Sequence, residues 1–263
     1  MPFTISHVAA VLPFSRFLRK GKLLSAAVIG SMVPDFGLFM PAAFPRSETH
    51  GLVPLFTFCL PVGMACYWLF QLHIKPATLE LLPGRLYDLW RQDAIAAPLR
   101  SLRQWLFASA GILLGGVTHL AWDGFTHENG RGVRMLGSLE TVRIGIFGRE
   151  FDLYRFLQHA SSVVGLLIVL ALLGIGLAKA QGHPDVQPRL LQRHERRWWF
   201  AAYVAVAGVL TIPITLRLWS LWHARYPGDQ LTMVAIASLW GIALSLIIVS
   251  ALVRWRLSGR KTH

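Results

Sequence analysis

His119, Asp123 and His127 stand at i, i+4 and i+8, so a helix carried through all three presents them on one face. Imidazole and carboxylate four residues apart on a helix can share one metal ion, the arrangement that short zinc-binding helices use. The triplet closes an apolar run from Trp105 to Trp122, where ionisable groups are costly to bury and mark functional positions. His7, Asp35 and His50 stand in or beside other apolar stretches. At about 1.5 Å of helical rise per residue, His7 and Asp35 both lie about 18–20 Å above the basic turn Arg19-Lys20-Gly21-Lys22, in a hydrocarbon layer of about 30 Å. His119 lies about 24 Å above Arg103 by the same count, and His50 opens its own run from the outer side. Four segments thus bring His7, Asp35, His50 and the His119/Asp123 pair toward the outer half of a membrane.

Imidazoles and carboxylates gathered at one depth are costly unless they pair or hold a cation, and the set favours a metal site over an unaided hydrogen-bond network. Three histidines with one or two carboxylates suit zinc, with manganese or iron as further candidates. A position left to water would lower that water's pKa toward about 7. Asp123 or Glu48 is then the expected catalytic base. His127, Gln158 and His159 are the expected supporting residues, since a ligating imidazole needs an acceptor for its other nitrogen. His73, His183, His194, His223 and His263 lie in loops or at basic ends and are set aside.

The elements that must position these groups follow from composition. The chain has 263 residues, 54% of them hydrophobic and 15% charged, with a mean hydropathy of +0.49. Several uncharged runs reach the length of a transmembrane helix. The expected fold is all-α, a polytopic helical membrane protein with six spans plus an N-terminal helix that forms a hairpin with the first span. The spans are expected at residues 23–44, 51–72, 105–122, 160–178, 198–216 and 231–253, with Pro34 breaking or kinking the first. Residues 73–104 read as a loop with one or two surface helices, amphipathic over Leu79 to Trp90. The glycine-rich excursion 123–159 reads as a lid in which Val142, Ile144 and Ile146 alternate like a short strand. Residues 1–178 are expected to form the metal-site core, and 179–263 a C-terminal helix pair.

The net charge of +13 admits nucleic acid as a partner, but its distribution argues for a membrane instead. Residues 16–22, 73–104, 179–197 and 254–263 hold 18 of the 26 Lys and Arg, and these segments fall on one side when the spans alternate. That side is expected to be cytoplasmic. No secretory signal is expected, because the first basic cluster follows the opening apolar stretch. Cys59 and Cys66 lie about 10 Å apart along one helix, too far for a disulfide.

The opening Met1-Pro2-Phe3-Thr4-Ile5-Ser6-His7 resembles that of bacterial multi-pass membrane proteins sharing a domain of unknown function of the 4184 type. Gly30-Ser31-Met32-Val33-Pro34-Asp35-Phe36, Thr49-His50-Gly51, Thr118-His119-Leu120-Ala121-Trp122-Asp123, Phe125-Thr126-His127 and Leu157-Gln158 extend the resemblance over most of the chain. More distantly, the order of these motifs is similar to that of inner-membrane metal-dependent hydrolases and zinc-dependent phospholipase C-like proteins. That similarity implies His7, Asp35, His50, His119 and Asp123 as metal ligands and a bacterial inner membrane as the setting. The function expected is a membrane-embedded metal-dependent hydrolase opening to the outer leaflet and acting on a lipid or other phosphoester, with Arg131, Arg134 and Arg143 available to an anionic substrate. A transporter or ion channel using the same residues, or a scaffold with a structural metal, are the alternatives.

Overall fold

A computed structural model describes residues 4–20, 23–39, 45–82, 87, 99, 101–146, 148–179, 191–222 and 230–259 of the chain. Among the described residues the protein is all-α apart from one β-hairpin, and five helices are long and apolar enough to cross a membrane. In chain order the helices are α1 (Thr4–Leu18), α2 (Leu24–Gly30), α3 (Leu52–Leu81), α4 (Leu102–Thr126), α5 (Arg131–Met135), α6 (Ser138–Thr141), α7 (Leu153–Lys179), α8 (Arg193–Trp222) and α9 (Gln230–Ser258). Large apolar side chains on the long helices, such as Leu167, Trp198 and Val209, are exposed, as lipid-facing residues are. The chain is an integral membrane protein.

The first of the six expected spans, over 23–44, does not form as one helix. Its described part is α2 followed by a turn and a 3-10 stretch, Val33–Phe39. Pro34 explains the change: it has no N–H to donate, and its ring would crowd the carbonyl of Gly30 four residues earlier. The ladder tightens there, with Met32 N–H donating to Ile29 O at 2.9 Å and Asp35 N–H to Met32 O at 3.1 Å. A second difference lies in α3, which runs on to Leu81 through residues expected in a loop. Pro76 deprives the Leu72 carbonyl of its helical donor, a π-helical turn (Phe70–Ile74) accommodates the proline, and Arg254 donates to the stranded carbonyl. The helix expected over Leu79 to Trp90 lies outside the described residues from 83 onward, Tyr87 excepted.

The chain gathers into two compact units, one of residues 1–67 and 99–176, the other of 68–98 and 177–263. In the second, Ala77, Leu191, Val249, Val253 and Leu257 form a core, and Tyr203 and Ser250 hydroxyls meet at 2.8 Å.

The first unit is built on the close crossing of α2 and α4. A Cβ placed on Gly115 would stand 2.1 Å from the Ala27 carbonyl oxygen, and one on Gly30 2.2 Å from that of Ile112, so only glycine permits the approach. Ser101 starts α4 with a capping box, its hydroxyl accepting from Gln104 N–H while the Gln104 side chain accepts from Ser101 N–H. The 23–30 segment turns back on α1 through Val11, Leu18 and Ala27.

Beyond α4 the excursion is ordered. Asn129 adopts φ 63° in the turn after α4, and Val133, Leu139 and Tyr154 form a small core. The alternation at 142–146 is a strand as expected, β1 (Arg143–Ile146), paired antiparallel with β2 (Arg149–Asp152) in the register Arg143 to Asp152 and Ile146 to Arg149. Gly148 turns the hairpin at φ 75°, where a side chain would be strained.

Candidate metal centre

Asp123 is the hub of the site. It sits one turn after His119 on α4, both side chains are buried, and four segments converge on them. Asp35 comes from the 3-10 stretch, His50 from the connection before α3, and His7 from α1. One donor atom from each of Asp35, His50, His119 and Asp123 lies within 4.8 Å of all the others, and these four can hold a metal ion.

The separations within the group are regular. His119 Nε2 stands 3.3 Å from His50 Nε2, 3.3 Å from Asp123 Oδ2 and 3.6 Å from Asp35 Oδ1. His50 Nε2 stands 3.4 Å from Asp123 Oδ2 and 3.5 Å from Asp35 Oδ1. Four ligands around a zinc ion at about 2.0–2.2 Å form a tetrahedron with edges of about 3.3–3.6 Å. The five separations that involve an imidazole therefore match the spacing that a small divalent cation requires, and all four donors lie within 4.8 Å of one another.

The hydrogen bonds behind the ligand atoms decide which nitrogens carry protons. His119 Nδ1 donates to the Ser31 carbonyl at 2.8 Å, leaving Nε2 with a bare lone pair. The Thr49 hydroxyl lies 2.7 Å from His50 Nδ1 and 3.4 Å from the Arg46 carbonyl; donating to the carbonyl, it accepts from His50 Nδ1 and leaves His50 Nε2 bare too. In that tautomer two lone pairs face each other at 3.3 Å in a buried site. Their repulsion is relieved by a cation between them. Asp35 is oriented the same way, its second oxygen accepting from the Thr4 hydroxyl at 2.9 Å.

His7 is fully buried and stacks on His119 with ring centroids 3.8 Å apart, but its Nε2 addresses the other oxygen of Asp123, Oδ1, at 3.5 Å. His127, just past the end of α4, brings Nδ1 to 3.4 Å from that same oxygen. Burial holds the His127 pKa down at about 4, with Asp123 opposing the shift and Arg46 adding to it. The Gln158 amide nitrogen lies 3.1 Å from His127 Nε2. Trp122, which donates to Ser161 at 3.1 Å, ties α4 to α7 beside it. His159 is exposed, as is Glu48.

Sequence reasoning overlooked Arg46, whose guanidinium donates to Asp123 Oδ2 from the short 3-10 turn Arg46–Glu48. It also overlooked Ser31 and Thr49, and it read Thr4 only as a helix cap. The one available signal was Arg46's place four residues before His50, inside a link otherwise short of cations.

A cleft of about 490 Å³ opens beside the cluster. His50, Asp123 and His127 form its floor, Arg46, Arg131, Arg134 and Glu128 its polar side, and Leu52, Leu55, Val117 and Leu120 an apolar wall. The arginines come from the excursion and from the turn before α3. Arg143 lies in β1, where it pairs with Glu150 and Asp152.

No curated relative and no solved structure matches the chain. A family described as a domain of unknown function, DUF4184, matches residues 1–254, which is nearly the whole length. The match takes in all four cluster residues and reaches into the last long helix, and the chain belongs to the DUF4184 family.

Proposed function

We propose that the chain is a membrane-embedded metal-dependent hydrolase, with zinc at the Asp35, His50, His119 and Asp123 cluster and the cleft opening to the outer leaflet of a bacterial inner membrane. The observation that carries the reading is the pair of Nε2 atoms, 3.3 Å apart, between two buried carboxylates. A divalent cation held by these four donors, with a further position open to the cleft, would supply Lewis acidity and lower the pKa of water toward about 7.

The chain's own residues do the rest. Ser31, Thr49 and Thr4 hold the ligand atoms in orientation. Arg46, Arg131 and Arg134 recognise an anionic group, and a phosphoester fits that side of the cleft, with a lipid tail against Leu52, Leu55 and Leu120. Proton acceptance falls to a carboxylate near the cleft. Glu128 and Glu48 are both exposed, and of the two Glu128 belongs to the cleft lining.

The interruption of the helix at Ser31–Phe39, beside a buried carboxylate, also supports the ion-path reading, because broken helices line transport sites. Metal content separates the two. Detergent-purified protein should carry one equivalent or more of zinc, manganese or iron, lost in His119→Ala and Asp35→Ala, and should release phosphate or alcohol from a chromogenic phosphoester. A folded wild type without metal sinks the hydrolase, and cation flux in proteoliposomes is then the readout to pursue.

A further inference from the structure

The four-donor cluster leaves one face of Asp123 unexplained. Oδ1 is buried with no hydrogen-bond partner, and so are both ring nitrogens of His7. His7 Nε2 lies 3.5 Å from Asp123 Oδ1, and His127 Nδ1, itself 3.3 Å from the Thr126 hydroxyl, lies 3.4 Å from the same oxygen. Both separations from Oδ1 match the edges of the first cluster. Stacking on His119 holds the His7 ring where it is, so the imidazole is kept without a partner rather than left free to find one.

We propose a second divalent-cation site formed by His7 Nε2, His127 Nδ1 and Asp123 Oδ1, with the Asp123 carboxylate bridging two metal ions. It rests on the reading of the Asp35, His50, His119 and Asp123 cluster as a metal centre. Asp123 Oδ2 faces that first cluster and Oδ1 faces the second, which is how one carboxylate spans a two-metal site. The two sites divide in character. The first has four protein donors; the second has three and borders the cleft through Asp123 and His127, leaving its remaining positions to water or substrate.

Gln158 sets the loading state of the second site. Its amide nitrogen donates to His127 Nε2, which puts the imidazole proton on Nδ1, toward Asp123. A half-turn of the amide offers Oε1 to Nε2–H instead and frees Nδ1 for a cation. The two orientations have the same shape, so the switch needs no movement of α7.

The test is the zinc stoichiometry of the detergent-purified full chain, with manganese loading and electron paramagnetic resonance as a second readout. The wild type should bind two equivalents, and two manganese ions bridged by Asp123 should show exchange coupling. His7→Gln and His127→Gln should each retain one equivalent with uncoupled manganese, and that retained equivalent shows that the fold stands. Gln158→Leu should weaken the second equivalent 10- to 100-fold and leave the first unchanged. One equivalent in the wild type and in both histidine variants overturns the second site while leaving the first in place. Two equivalents unaffected by the substitutions, or loss of both equivalents together, also overturn it. A wild type without metal overturns the first centre, and the second with it.

Discussion

Gly115→Ala tests the link between helix packing and the metal centre. The added methyl would stand 2.1 Å from the Ala27 carbonyl oxygen and 2.6 Å from the Ser31 amide nitrogen, whereas ordinary contact begins at 3.4 Å. Both neighbours are backbone, so no rotamer change relieves the clash, and α2 must move away from α4 by about 3.4 − 2.1 = 1.3 Å. Ser31 moves with it. The bond from His119 Nδ1 to the Ser31 carbonyl, 2.8 Å long, lies one turn along the same contact, and a shift of that size takes it past hydrogen-bonding range. Loss of such an orienting bond weakens metal binding about 10- to 100-fold, and overpacking costs about 1–3 kcal/mol of stability. Zinc affinity is measured by chelator competition, with Gly174→Ala as the control. Gly174 meets nothing within 4 Å, so alanine there should leave zinc affinity unchanged. Wild-type zinc affinity in Gly115→Ala, with the protein folded, would refute the argument that helix contact sets the ligand geometry.

Thr4→Val keeps the shape of the side chain and removes the donor to Asp35 Oδ2, so zinc affinity should fall about 10-fold or more by the same competition assay. Ser101→Ala breaks the capping box far from the cluster and should cost about 1 kcal/mol in thermal unfolding while leaving zinc affinity intact. Glu128→Gln should lower turnover of a chromogenic phosphoester by about 10²-fold or more without loss of metal, and Glu48→Gln, exposed on its turn, should lower it less.

What the sequence makes legible here is whatever has a period. His119 and Asp123 declare a shared face because they lie four apart on a long apolar helix, and helical rise counted from a basic turn puts His7 and Asp35 at one level. The strand at 143–146 follows from alternation. Contacts across segments leave no such trace. Arg46 reaches Asp123 over 77 positions and Thr4 reaches Asp35 over 31, each through a single hydrogen bond. The length of α3 was hidden for a related reason. Lys75 and Pro76 read locally as the start of a loop, yet Lys75 donates to Gln71 at 3.4 Å and Arg254 supplies the donor that Pro76 lacks. The break in the first expected span was foreseeable from Pro34, but its form, a 3-10 stretch that delivers Asp35 sideways, depends on the close approach of Gly30 to α4.

Charge connects the number of cations to the kind of substrate. Asp35 and Asp123 bring two negative charges into a buried site, and one divalent cation balances them. Arg46, already on Asp123, then contributes a charge in excess, and Arg131 and Arg134 add theirs along the same cleft. A second divalent cation on His7 and His127 raises the surplus by two more, because neither imidazole brings a negative charge of its own. That surplus, reduced by Glu128 on the same lining, favours entry of an anion. A neutral or cationic substrate would leave it uncompensated, whereas a phosphate group meets the metals on one side and the guanidinium groups on the other. On the proposed two-metal reading, the orphaned oxygen of Asp123 and the arginines of the cleft, which lie on different elements, favour the same ligand, an anionic ester.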